Sequence, residues 1–160
     1  MKRIVVTSIA LAAALAGYLY WASDERQIRR LLERVADAVS HDGTGGVAGL
    51  AEVAGLTSDL SPDVTLDPGA PFRTIDGAQN VVSTVGRLRA VTTAVRLELL
   101  DAEVVVDGGS ASVQAMARLT LRDREGVEEQ HAREVITTLV KRDGAWVVTT
   151  ARALGVIASP

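Results

Sequence analysis

Two carboxylates and two histidines are the residues of this sequence best suited to acid–base chemistry. Asp59 and Asp63 stand four residues apart around a proline, and paired carboxylates can act as acid and base when their surroundings separate their pKa values. His41 follows a predicted helix, whose C-terminal dipole favours a cation, and His131 begins a predicted strand among charged neighbours. Because no partner stands at a matching spacing, turn, cap or surface roles are favoured and no catalytic residue is assigned. Asp63 and His131 remain the candidate bases.

Contact with a ligand is the second kind of chemistry that the residues suggest, and Phe72, Arg73 and Trp146 are the candidates for it. Phe72 and Trp146 are the only aromatic side chains after Trp21. Trp146 opens a predicted strand, where packing in the core is favoured and lining a ligand cavity is the alternative. Arg73 lies in a strand-like run, where it would meet an anionic ligand or stay solvated.

The residues needed for a metal or cofactor site are missing from the sequence. It contains no cysteine and two isolated histidines, which excludes a thiolate centre and leaves no ligand set for a metal. The glycine-rich run from Gly43 to Gly49 follows a helix and lacks Gly-Lys-Ser/Thr, whereas a dinucleotide-binding loop leaves a strand and enters a helix. We therefore predict no metal and no cofactor.

Size and charge limit the classes of protein further. The chain has 160 residues, of which 48% are apolar, so it is long enough for one folded domain with a core. Its net charge is −3, and an acidic domain repels phosphate backbones. With so few aromatic side chains there is also no platform on which bases could stack. Nucleic acid is therefore excluded as a partner.

Four long strands between Ala94 and Ile157 are the elements that must position these residues. From Ala111 to Leu121 apolar and polar residues alternate, which is typical of a strand with one buried face. In the preceding strand the apolar phase slips by one residue, which predicts a bulge near Leu100–Asp101. The turns that join the strands contain glycine, and they lie at residues 107–110, 124–126 and 143–144. The pattern predicts a curved antiparallel meander.

Three helices are predicted before these strands. The first, Asp24–Val39, carries one apolar stripe and a favourable pair between Glu25 and Arg29. Asp24 with Gln27 could form a capping box at its start; alternatively, the helix continues from the membrane span as a stalk. The second, within Thr44–Leu60, is weak because glycines destabilise it. Asp76 with Gln79 is expected to cap the third, after a turn at residues 67–71 flanked by short strands at 64–66 and 72–75.

The N-terminus, residues 1–23, is predicted to be a membrane anchor or a signal peptide. Ile4 to Ala22 is uncharged, and a helix of that length spans roughly the 30 Å of a bilayer core. Lys2 and Arg3 precede it and acidic residues follow, so the positive-inside rule places the domain outside the cytoplasm. This predicts a single-pass protein of the inner (cytoplasmic) membrane. Alternatively, cleavage after Ala14-Leu15-Ala16 would release a secreted or periplasmic protein.

The order of elements resembles the nuclear-transport-factor-2-like superfamily, whose cone-shaped α+β (cystatin-like) fold is shared by SnoaL-like and ketosteroid-isomerase-like proteins. Two local pieces carry the resemblance most clearly, Ile75 to Ala78 and Leu139 to Val148. The resemblance implies one domain over residues 24–157, a tail at 158–160, and helices packed on a curved antiparallel sheet with a pocket between them. Enzymes of the superfamily use Asp, Tyr or His in that pocket, and this domain has no tyrosine.

These observations predict a membrane-tethered extracytoplasmic module for binding or assembly, with no catalytic activity. Its partner would be the membrane through residues 4–22, together with a protein or a small apolar ligand. The alternative is a small lyase or isomerase acting on a small apolar molecule in the cone pocket. The resemblance also implies a homodimer through the exposed face of the sheet.

Overall fold

The computed structural model describes residues 23–43, 46–70 and 72–154. The predicted anchor at residues 4–22, the alternative cleavage site and the tail at 158–160 lie outside these ranges. No helix within them has both the length and the apolar character needed to cross a membrane.

Three helices and six strands make up the described chain. Helix α1 covers residues 23–39. The other elements follow in the order α2 (Gly46–Asp59), β1 (Leu60–Asp67), β2 (Ile75–Asp76), α3 (Ala78–Val91), β3 (Ala94–Asp107), β4 (Ser110–Arg122), β5 (Glu128–Arg142) and β6 (Ala145–Leu154). The prediction of an α+β fold with helices packed on a curved, mainly antiparallel sheet is confirmed.

The sheet has the strand order β2-β1-β6-β5-β4-β3. Strands β3 to β6 form an antiparallel meander, while β1 joins it parallel to β6. The apolar run in this part of the sequence predicts a strand over Glu134–Lys141. Strand β5 begins six residues earlier, at Glu128, because its polar start still pairs with β4 through the backbone. Strand β1 is longer than predicted and β2 is shorter.

The bulge in β3 is confirmed at the predicted place. Leu100 pairs with Met116, but the next pair joins Glu103 to Gln114, so β3 holds one extra residue. Asp101 takes a positive φ of 52° there, a conformation that Asp tolerates better than most residues. The bulge restores the apolar phase, and Val104 is buried as a result.

The core lies between the helices and one face of the sheet. The predicted stripe of α1 is buried, with Ile28, Leu31 and Leu32 in the core. The half of this sheet face nearest the Asp143-Gly144 turn is also buried; its side chains are Val104, Ala111, Val113, Leu139, Trp146 and Val148. On the remaining half of the same face Val95 and Ala115 are buried, whereas Leu97, Leu99, Ala117, Leu119 and Val135 are only partly buried. We call these five residues the open half.

Both predicted capping boxes are wrong. Asp24 is already helical, and its side chain turns into the core instead of capping α1. Asp76 ends β2 and accepts a hydrogen bond from Thr65. The N-cap of α3 is Gly77, at a φ of 86° and without a side-chain cap. A capping pattern depends only on local sequence. In both places the aspartate side chain makes a tertiary contact instead of capping the helix.

Candidate functional site

The three candidate ligand contacts do not come together. The ring of Phe72 lies 6.5 Å from that of His131, whereas Trp146 pairs with Lys141 in the sheet. Ten residues of β5 separate those two positions, which is about 33 Å of extended strand. Trp146 is buried in the core, which is the interpretation that its position favoured, and Arg73 is exposed.

The two carboxylates also serve separate structural roles. Asp59 ends α2 and accepts a hydrogen bond from Arg34 at 2.7 Å. Asp63 lies on β1 with its side chain 79% exposed. A hydrogen bond from the Ser61 hydroxyl lowers the pKa of Asp63, which weakens it as a base. The structure therefore gives Asp63 neither an enclosed site nor a partner acid.

His41 is neutral, contrary to the expected cationic cap of α1. Its Nδ1 accepts the Gly43 N–H at 3.1 Å, and its Nε2 lies 3.1 Å from the Thr92 hydroxyl, which itself donates to a backbone carbonyl. This network assigns the proton to Nε2. Burial, and then the nearby charge of Arg89, lower the pKa of His41. Arg89 instead donates to the carbonyls of Ala38 and Ser40 at the end of α1.

His131, the other candidate base, lies on the helix-facing side of β5. Its side chain is 41% exposed, and its Nε2 lies 3.6 Å from a carboxylate oxygen of Glu129. The rings of His131 and Phe72 are nearly perpendicular, in an edge-to-face arrangement. His131 therefore lies next to Phe72, the only phenylalanine of the sequence. We call Phe72, His131 and Arg133 the rim.

Arg133 was not identified from the sequence, yet it organises this rim. Its guanidinium donates to the carbonyls of Pro68 and Ala70, both at 2.9 Å, and lies 5.9 Å from the centroid of the Phe72 ring. A Cβ at Gly69 would approach the guanidinium to 2.8 Å, so glycine is required there for the close approach. Arg133 thus holds the β1–β2 loop over the end of β5. Only the tertiary structure brings that loop to the strand.

The strand register places the open half beside this rim. Leu99 pairs with Ala117, and Ala117 pairs with Arg133. The neighbouring row joins Leu97 to Leu119 and then to His131. Because adjacent strands are about 4.8 Å apart, an apolar surface roughly 10 Å wide runs from β3 to Arg133.

A buried polar cluster at the opposite end of the domain was also missed. The Oδ1 atom of Asp24 accepts hydrogen bonds from Lys141 Nζ at 2.7 Å and from Trp146 Nε1 at 3.1 Å. Asp24 is only 1% exposed, and its Oδ2 is buried without a hydrogen-bond partner. No sequence signal joins these residues, since Asp24 and Lys141 stand 117 positions apart.

Metal binding finds no support in the described ranges. Within residues 23–43, 46–70 and 72–154, no three His, Asp or Glu side chains gather as they would around an ion. The rim holds one histidine beside one carboxylate, which is too few ligands for a protein metal site.

No protein-family model and no curated protein matches the chain. Solved structures do match. A nuclear-transport-factor-2-like protein with a cystatin-like fold from Novosphingobium aromaticivorans is 18% identical with a TM-score of 0.71, covering 91% of this chain and 90% of its own. Two further proteins from that organism are a proposed aromatic ring hydroxylase (15% identity, TM-score 0.72, covering 86% and 92%) and a proposed scytalone dehydratase (15%, 0.69, 87% and 96%). These similarities show the cystatin-like fold.

Proposed function

We propose that the domain is a binding module that takes a small apolar ligand between its helices and the open half of the sheet. The observation that carries this proposal is the partial exposure of Leu97, Leu99, Ala117, Leu119 and Val135 on the helix-facing side of the sheet. Ligand sites in proteins are mostly apolar, as this surface is.

Side-chain size supports a ligand at this place. Ala117 stands between Leu99 and Arg133 in the pairing register, so a small residue occupies the centre of the open half. Helix α3 packs against β1 and β2, at the edge of the sheet opposite β3. Space above Ala117 would allow a flat apolar molecule to lie along the strands.

Binding is favoured over catalysis because the ionisable candidates lie apart. Asp63 is exposed on β1, His41 is neutral and hydrogen-bonded at both ring nitrogens, and Asp24 is closed within the core. A general base must reach the proton that it removes from a bound substrate. In the described residues, His131 is the one candidate of this group next to the open half.

The test uses the full chain in lipid nanodiscs, with naphthalene-2-carboxamide as a neutral apolar probe and ligand-detected NMR as the readout. Ala117→Phe should weaken binding by at least about 10-fold, equivalent to about 1.4 kcal/mol, because the ring fills the proposed space. Ala132→Phe is the matched control, since Ala132 is exposed on the opposite face of β5. Equal loss in both variants, or no binding by the wild type, would contradict the proposal.

A lyase or isomerase that acts on a small apolar molecule is the second candidate function. It is favoured by His131, which lies beside Phe72 at the rim, and by the proposed dehydratase among the structural neighbours. In this scheme His131 removes a proton from carbon and the open half holds the substrate. The test is a screen for eliminations and double-bond shifts in which His131→Gln must abolish the turnover that the wild type shows.

The proposed location is the inner membrane, with residues 4–22 as anchor and the domain outside the cytoplasm. It rests on the uncharged run and on the charges that flank it. The secreted or periplasmic form after cleavage is the alternative. We also propose that the module binds a protein partner and forms a homodimer through the exposed face of the sheet. Crosslinking in membranes tests both.

A further inference from the structure

We infer that the ligand of the open half carries one carboxylate, and that the guanidinium of Arg133 binds it. This inference rests on the proposed function and adds the chemical class of the ligand. It follows from the position of Arg133, the partners of its charge and the way in which the side chain is held.

Arg133 stands at the end of the apolar surface. It follows Leu99 and Ala117 in one row across three strands, which is about 10 Å of backbone spacing. An aromatic acid with two fused rings has about this length. With its rings on Ala117, such a molecule would bring its acid group to the β5 side of the surface.

The charge of Arg133 is not neutralised by any carboxylate in the described chain. Its hydrogen bonds go to two backbone carbonyls, and its third contact is the Phe72 ring. The acids nearest to Arg133 in the sequence serve other partners, since Glu129 faces His131 and Glu134 accepts a hydrogen bond from Gln114. A partly buried cation with no counter-ion favours an anionic ligand.

The contacts of the Arg133 guanidinium also fix its orientation while leaving donors for a ligand. Each carbonyl takes one N–H group, and arginine has five, so donors remain for a ligand. The two carbonyls and the Phe72 ring fix the orientation of the group, so little side-chain entropy would be lost on binding. Charge-assisted hydrogen bonds from arginine to carboxylate are among the strongest in proteins.

The competing explanation is that Arg133 only ties the β1–β2 loop to β5. In that case, replacing Arg133 would lower the stability of the domain and would weaken the binding of neutral and charged ligands equally. The two explanations therefore differ in the preference between a carboxylate and an isosteric amide, which is what the experiment measures.

The experiment compares naphthalene-2-carboxylate with naphthalene-2-carboxamide on the full chain in lipid nanodiscs, with empty nanodiscs as the blank. The wild type should bind the carboxylate about 10-fold more tightly. Arg133→Gln should remove that preference and change amide binding by less than about 2-fold. Arg133→Lys should keep part of the preference, because it keeps the charge.

Arg152→Gln is the matched control. The Arg152 side chain is 72% exposed and lies 4.0 Å from Asp67, so the preference should not change. Unaltered amide binding in Arg133→Gln shows that the site is still folded. Equal affinity of the wild type for both probes, or a preference that survives Arg133→Gln, would overturn the inference. If the wild type does not bind the amide, the proposed function is overturned instead.

Discussion

Asp24 is the most completely buried charged residue described in the domain, at 1% exposure. Its Oδ1 receives two hydrogen bonds, from Lys141 and Trp146, while its Oδ2 receives none. Burial of an ion pair gains little net stability, but removal of one partner leaves the other charge without compensation. The cluster therefore makes the start of α1 dependent on the last hairpin.

Asp24→Asn should destabilise the fold by about 2–3 kcal/mol, because the partly buried Lys141 would lose the negative charge of the carboxylate that accepts its hydrogen bond. Glu25→Gln is the neighbouring control and should change stability by no more than about 0.5 kcal/mol, since the pair with Arg29 is a surface i,i+4 pair. Denaturant unfolding measures both. Similar losses in the two variants would show that the buried pair has no special role.

His41 makes stability depend on pH. Its pKa in the folded state is lowered by burial and by Arg89, so between the folded and unfolded pKa values the unfolded chain binds more protons. This contribution to stability is present above the ordinary histidine pKa of about 6.5 and is lost as pH falls below it. His41→Gln should flatten that loss when the free energy of unfolding is measured from pH 8 to pH 5. A variant with the same slope as the wild type would contradict the assignment.

At the scale of elements, α2 is the helix whose sequence supports it least. Gly49 and Gly55 both lie within Gly46–Asp59, and glycine destabilises a helix interior by about 1 kcal/mol relative to alanine. The two positions differ in surroundings. A Cβ at Gly55 would meet nothing within 4 Å, whereas one at Gly49 would lie 2.8 Å from Arg89 Nη1.

Gly55→Ala should therefore stabilise the domain by about 0.5–1 kcal/mol. Gly49→Ala should destabilise it, because Arg89 donates to the Gly49 carbonyl and to the end of α1 and would have to move. Thermal unfolding of the two variants against the wild type measures the difference. The same sign for both substitutions would contradict this account of Arg89.

Element boundaries were predictable where the signal is local. The bulge at Leu100–Asp101 and the Asp143-Gly144 turn followed from hydrophobic phase and turn chemistry. The start of β5 and the two capping boxes did not, because backbone pairing with β4 and tertiary contacts of the aspartates decided them.

At the scale of the whole molecule, the two ends of the domain differ in character. One end holds the buried Asp24 cluster, directly after the predicted anchor, and the other holds the Phe72, His131 and Arg133 rim. If residues 4–22 lie in a membrane, the first end is nearest to it along the chain. The rim would then be presented away from the lipid surface.

The whole protein should sediment with membranes and resist alkaline carbonate while dissolving in detergent. Leu11→Arg should weaken this association, since a charge at the centre of a spanning helix costs about 2.5–3.5 kcal/mol. The mass of the mature protein distinguishes the anchor from a signal peptide cleaved after Ala16. A protein of full mass found in the soluble fraction would contradict both.

Sequence alone determined the α+β class, the four-stranded meander and the buried stripe of α1. These features follow from periods of two and 3.6 residues, which any short stretch of chain displays. Only the tertiary structure decided that Asp24 meets Lys141 and Trp146, and that Arg133 lies under the loop at Gly69. These side chains come from distant parts of the chain, and a contact between them depends on how the sheet curves and which strands become neighbours. No local pattern contains that information.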